Sequence, residues 1–143
     1  MSNMVGALVI ALTVAFVDAS VSIHDVTLIL GDAEYVGPCP VTLTFTVAMD
    51  GDPKTIFGYR LIGDGATSKK TLYGFIPPEG TVSMNQDIVI DATHAGAHYM
   101  QAEVKYSSEP LGQDLKDVID SDKVNYTVTC ISASPSPGQR VRR

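Results

Sequence analysis

From Cys39 to Met49, apolar and small polar residues alternate without a break. Cys39, Val41, Leu43, Phe45, Val47 and Met49 fall on one side; Pro40, Thr42, Thr44 and Thr46 fall on the other. A period of two sustained over that length makes a strand with one buried face. The first position on the buried face is a cysteine. The only other cysteine, Cys130, ends the last strand-like run. The pair reads as the clasp of a small β-sandwich.

The compartment bears on that reading. Residues 4–17 carry no charge. This run is too short to cross a bilayer, which takes about 20 residues, and has the length of a signal-peptide hydrophobic region. Val17-Asp18-Ala19 then offers small residues at the two positions a signal peptidase reads, with cleavage before Ser20. No Lys or Arg precedes the apolar run. The rival readings are an uncleaved membrane anchor and a buried first strand, so a membrane is a partner only if the segment stays on. In an exported chain two cysteines pair. The loop they close holds about ninety residues, and its entropy alone gives roughly 4–5 kcal/mol. No CxxC and no Cys/His cluster points to zinc.

Removing the leader (1–19) and a Ser/Pro-rich tail (133–143) leaves one domain, residues 20–132, enough for a single core. The whole chain has net charge -6. Arg140, Arg142 and Arg143 sit in the tail, so residues 20–133 hold seven Lys or Arg against fifteen Asp or Glu. An acidic body argues against nucleic acid as a partner. Asp50-Gly51-Asp52 and the group Asp114, Asp117, Asp120, Asp122 do not match a calcium-binding EF-hand loop.

Residues 21–30 read as an edge strand stopping at Gly31-Asp32. Residues 35–38 read as a connector into the central strand, which ends at the turn Asp50-Gly51-Asp52-Pro53. Residues 55–62 form the next strand, with Phe57, Tyr59 and Leu61 inward. Residues 69–76 form a short exposed edge with Lys69 and Lys70 at its start and prolines at its close. Residues 81–90 alternate again, a turn spans 91–97, and 98–106 follow with Met100, Ala102, Val104 and Tyr106 on one face. Residues 107–122 read as irregular, with Leu115, Val118 and Ile119 able to make one helical turn. The last strand is 123–131, with Val124, Tyr126, Val128 and Cys130 inward and Asn125 outward. The tail has nothing to bury. About seven short strands, with turn signals between them, predict an all-β, antiparallel two-sheet sandwich.

Three stretches carry a resemblance: Gly37-Pro38-Cys39-Pro40-Val41-Thr42-Leu43-Thr44-Phe45; Tyr59-Arg60-Leu61-Ile62 with Asp64-Gly65-Ala66-Thr67-Ser68; and Ser121-Asp122-Lys123-Val124-Asn125-Tyr126-Thr127-Val128-Thr129-Cys130. Together they resemble an immunoglobulin-like domain of secreted bacterial proteins. The resemblance covers about residues 36–131. It implies an immunoglobulin-like sandwich with a disulfide between the Cys-Pro of the second strand and the terminal Cys. Where that family commonly has tryptophan, this chain has Leu61. It says little about activity.

Candidate chemistry is sparse. His94 and His98 are four apart, and with Asp91 they are the candidate ligands for a zinc- or copper-type metal; Gly96 between them predicts a turn that points them apart. Tyr99, just after that turn, resembles the tyrosine corner of immunoglobulin-like sandwiches. No Gly-x-Ser-x-Gly elbow singles out a nucleophile, and no phosphate-cradling glycine loop is present. Asn125-Tyr126-Thr127 is a glycosylation sequon. The expected protein is a secreted, non-enzymatic module without cofactor, recognising an extracellular protein or polysaccharide or acting as a spacer. Its expected contacts lie in loops 50–54, 63–70 and 107–123, at Asp50, Asp52, Asp64, Lys69, Lys70, Asp114 and Asp117. The alternative is a small secreted metal-binding or hydrolytic protein centred on His94 and His98.

Overall fold

The computed structural model describes residues 19–68 and 70–131. Most of the expected leader, the tail and Lys69 lie outside the described residues. Strand β1 is Ile23–Leu30, β2 Glu34–Gly37, β3 Val41–Gly51, β4 Ile56–Gly63, β5 Leu72–Phe75, β6 Thr81–Ile90, β7 Gly96–Tyr106, β8 Asp117–Asp120 and β9 Val124–Cys130. One sheet has the order β1-β3-β6, the other β2-β9-β7-β4-β5, with β8 also paired to β7. The expected two-sheet all-β sandwich is therefore present, with nine strands in place of about seven. Among the described residues, no helix is long and apolar enough to cross a membrane.

The alternation in sequence sets which side chains meet. Phe45, Val47 and Met49 of β3 face Phe57, Tyr59 and Leu61 of β4 and Met100, Ala102 and Val104 of β7 across the sandwich, all essentially inaccessible to water. Ile88 and Ile90 of β6 and Tyr126 and Val128 of β9 complete the same core. Phe45 and Tyr126 join the two sheets edge-to-face, ring centres 5.9 Å apart, the geometry aromatic quadrupoles favour. Each of the Val, Leu, Ile, Phe and Met side chains in this set contributes about 1.5–3 kcal/mol by burial. The inward face assigned to residues 57, 59 and 61 is the observed one.

Two expectations are corrected. The connector at residues 35–38 contains a strand: β2 lies parallel to β9, pairing Glu34 with Thr127 and Gly37 with Cys130. The helical turn expected around Leu115, Val118 and Ile119 does not form, because β8 instead pairs antiparallel with β7 from Tyr106 to Glu103. Those positions of β7 have N–H and C=O groups that need partners, and a four-residue strand supplies them.

Strands β8 and β9 are in effect one bent strand along the same edge of β7. Between the pairs Glu103–Asp120 and Met100–Val124, β7 advances three residues and its neighbour four. That one-residue excess is a bulge. Buried Ser121 repairs the ladder there. Its N–H donates to Ala102 O at 2.9 Å, its Oγ accepts from Ala102 N at 2.9 Å, and the hydroxyl donates to Asp122 O at 2.9 Å.

The disulfide joins Cys39, in the crossing from β2 to β3, to Cys130 at the end of β9, with Cα atoms 5.4 Å apart and a separation of 91 residues. It therefore ties the entry of one sheet to the second strand of the other, which lies between β2 and β7.

Two predictions come from this architecture. Replacing both cysteines by alanine should cost about 4 kcal/mol in urea unfolding, because the closed loop is long. Ser121→Ala should cost about 1–3 kcal/mol by the same assay, because it leaves the Ala102 N–H buried without an acceptor; Ser121→Thr, which keeps the hydroxyl, should cost less.

Candidate functional site

The strand registers sort the loops into two groups. At the disulfide end lie residues 31–33, 38–40, 64–71 and 91–95. At the opposite end lie residues 52–55, 76–80 and 107–116. The three loops expected to share binding are thus divided. Loops 50–54 and 107–116 meet at the opposite end, where Leu111 N donates to Lys54 O at 2.8 Å. Loop 63–70 is at the disulfide end.

At the opposite end, Asp52 fastens the backbone. Asp52 Oδ2 accepts from Ser22 N at 3.0 Å, and its Oδ1 lies 3.3 Å from His24 Nε2. Buried Thr55 donates its hydroxyl to Asp52 O at 2.7 Å. Lys54 adopts φ of 71° and Leu111 φ of 57°, left-handed backbone that side chains rarely take. Asp50 is exposed in β3, between Asp25 and Thr81. Asp114 pairs with Lys116 at 3.2 Å in solvent, and Asp117 is an exposed start to β8. Lys70 is exposed beside the edge of β6.

The disulfide end holds the densest polar geometry. Asp64, just past β4, accepts from Tyr99 N at 2.9 Å and faces His98 Nδ1 at 3.3 Å. His98 Nε2 lies 2.9 Å from Ala95 O. The two ring nitrogens thus face a carboxylate on one side and a backbone carbonyl on the other. The ring leans on Tyr126, centres 6.0 Å apart, and over Gly65, where an added Cβ would come within 2.9 Å of it. Glycine is needed there for the close approach. An open groove of about 400 Å³ runs beside this group, lined by Glu34, Asp64, His98, Tyr99, Asn125 and Thr127.

His94 belongs to a different cluster. Asp91 caps the 3₁₀ turn Ala92–His94. Its Oδ1 accepts from Thr93 N at 3.0 Å, Thr93 Oγ1 at 2.6 Å and His94 N at 3.2 Å, and meets His94 Nδ1 at 2.9 Å. The grouping of His94, His98 and Asp91 read from the sequence separates into these two anchors. Among the described residues, no three His, Cys, Asp or Glu are arranged to hold a metal. Tyr99 is likewise no tyrosine corner: its ring faces outward under Lys123 Nζ, 4.4 Å from the centroid. Lys69 lies outside the described residues.

Electrostatics follow from these contacts. The Asp91 carboxyl is lowered to about 2 by the Thr93 hydroxyl and then by His94. Asp64 is lowered from its ordinary value by the Tyr99 N–H first, with the nearby His98 charge adding. Burial raises the Tyr126 phenol, and the Asp64 carboxylate raises it further. Burial alone raises Tyr59. The hydroxyls of Tyr59 and Tyr126 and Gln86 Oε1 are buried without a hydrogen-bond partner among the described residues. The sequence placed Tyr126 inward, but nothing in it tells that the hydroxyl goes unpartnered. The Asp64–His98 pair spans 34 residues and has no local signal.

Neither a protein-family model nor a curated protein matches this chain. The sequence resemblance therefore rests on the residues that carry it and on the architecture.

A pH prediction follows. Both carboxyls have folded values below their unfolded ones, so their contribution is complete above the unfolded value of 3.8. It is lost as pH falls through the folded values. Thermal unfolding followed from pH 5 to about pH 2 should show a falling melting temperature. The fall should be smaller in Asp64→Asn and in Asp91→Asn, each of which removes one of the two titrations.

Proposed function

We propose that this chain is an immunoglobulin-like module of an exported protein, non-enzymatic, serving recognition or spacing at a cell surface or in an extracellular assembly. The observation that carries the reading is the sheet order. In immunoglobulin-like sandwiches the first, second and fifth strands share one sheet, and the seventh, sixth and third share the other. Here β1-β3-β6 opposes β9-β7-β4, with β5 added beside β4 as in the larger members of that class. The opening strand is divided, its first part (β1) in one sheet and its second (β2) beside the last strand in the other. The disulfide departs from the usual pair of inner strands, since it joins the β2–β3 crossing to the end of β9.

Export is supported by the leader pattern and by the disulfide, since such bonds persist in oxidising compartments. Spacing is supported by the path of the chain. Val21 lies at the opposite end, bonded to Ser108, and Ile131 at the disulfide end, bonded to Gly37. Between them runs a rigid body about 35 Å long, the reach of the longest strands at 3.2–3.4 Å per residue. Recognition is supported by loops displayed on that body. Loops 52–55 and 107–116 meet at the opposite end through Leu111 N and Lys54 O, 2.8 Å apart. The residues with the most chemical promise, Asp64, Asp91, His94 and His98, are committed to holding loops.

Two measurements test the reading. Mass spectrometry of the protein from the medium or envelope of its source should find a chain that begins at Ser20. The same protein, disulfide intact, should bind an envelope polysaccharide or a secreted protein saturably, and replacing the exposed side chains of Lys54, Glu109, Asp114 and Lys116 by alanine should weaken binding about tenfold or more while the body stays folded. An uncleaved cytoplasmic chain would contradict export. Turnover of a substrate abolished by His98→Ala, with the fold retained, would replace the module by an enzyme.

A further inference from the structure

Besides the four-residue strand β8, whose outer side is unpaired, the two sheets leave four free edges, and three of them are guarded. Strand β1 has a register break between Ile23 and Asp25. Strands β2 and β5 are four residues each, with Pro38 following the first and Pro77-Pro78 the second. Short strands, bulges and prolines are the usual protections against stray pairing. Strand β6 has none of them. It runs ten residues without a bulge, contains no proline and no lysine, and carries a single charge, Asp87. Among the described residues, its outer edge has no backbone partner.

We infer that β6 pairs antiparallel with β6 of a second copy, joining two three-stranded sheets into one of six about a two-fold axis at Gln86. The register is chosen by charge and shape. A two-fold at Asp87 would set two carboxylates face to face, which disfavours pairing. A two-fold at Gln86 sets Asp87 against the partner's Asn85, an amide donor. On the core side it matches Met84 with the partner's Ile88 and Val82 with the partner's Ile90. Outside, Ser83 meets the partner's Val89, which is 60% exposed in the single chain. Gln86 Oε1, which accepts no hydrogen bond in one chain, is brought by a turn of its amide to the partner's Gln86 carboxamide. An open groove of about 560 Å³ along β6, lined by Lys70, Leu72, Gln86 and Ile88, leaves room for inward side chains to settle. The -6 charge on each copy opposes contact, so the association is reversible and tightens as salt screens that repulsion. This inference holds whatever the loops recognise.

Sedimentation equilibrium of the intact chain, from micromolar to millimolar and at low and high salt, tests it. A monomer–dimer equilibrium that tightens with salt is expected. Ser83→Lys with Val89→Lys opposes like charges at both ends of the ladder and should weaken dimerisation about tenfold or more. Asn85→Lys adds a cation opposite the partner's Asp87 and should tighten it several-fold; Thr27→Lys, the same charge change on the distant strand β1, controls for net charge. Thermal unfolding of each variant confirms that the fold survives. A chain monomeric at every concentration overturns the proposal, and so does a dimer indifferent to the paired lysines. A monomeric chain that takes up an unrelated alternating peptide along β6 assigns the edge to another partner and overturns it too.

Discussion

The chain leaves one sheet at Gly37 and enters the other at Val41, and only Pro38, Cys39 and Pro40 make the crossing. Stacked sheets sit about 10 Å apart, so the crossing is nearly as short as sheet spacing allows. Prolines on either side narrow its backbone freedom. The disulfide then binds its middle residue to the end of β9. Everything inward of that point inherits its placement. β2 is held beside β9 by four paired residues, and Ile131 N donates to Gly37 O at 2.9 Å just beyond them. β3 starts in a fixed position relative to β9, so Phe45 reaches Tyr126. The core is in this sense hung from one corner.

The strands that were legible in the sequence are those whose alternation is long enough to declare a face. Residues 81–90 form β6 with the bounds expected, and the inward set of β4 follows from its bulk. The missing strands, β2 and β8, are four residues each. Glu-Tyr-Val-Gly and Asp-Val-Ile-Asp hold too few positions for a period, and they become strands only because β9 and β7 offer open edges. That is a long-range cause, and a local reading has no access to it. The same holds for Ser121, which looked like part of an acidic loop and proves to be a buried link between two segments of one bent strand.

The site residues divide along similar lines. His94 and His98 drew attention because they are four apart, a spacing that matters on a helix. On a turn that opens a strand, the two rings go to different partners. Asp91 and His94 form a self-contained cap. His98 joins Asp64, which lies on another loop. The acidic residues nominated as contacts were chosen because turns expose them, and exposure is what most of them have. Asp52 and Asp64 do more: each fixes a backbone N–H and thereby sets the shape of the loop around it. Their value to recognition is indirect, through the rigidity they give to neighbouring side chains.

The outer face of the three-stranded sheet follows a different logic from the loops. Thr44 donates to Asp87 at 2.6 Å and Thr46 to Asn85 at 2.7 Å, so the polar groups there answer one another across strands. This ladder adds to the pairing that holds β6 in register with β3 over its whole length. A long strand without a bulge is also the kind that most readily accepts a further neighbour. The device that orders the sheet therefore leaves its edge available, and restraint comes from the acidic body, which acts over a Debye length rather than through any one contact. Edge and charge oppose each other, and their balance moves with ionic strength while the core and its disulfide remain as they are.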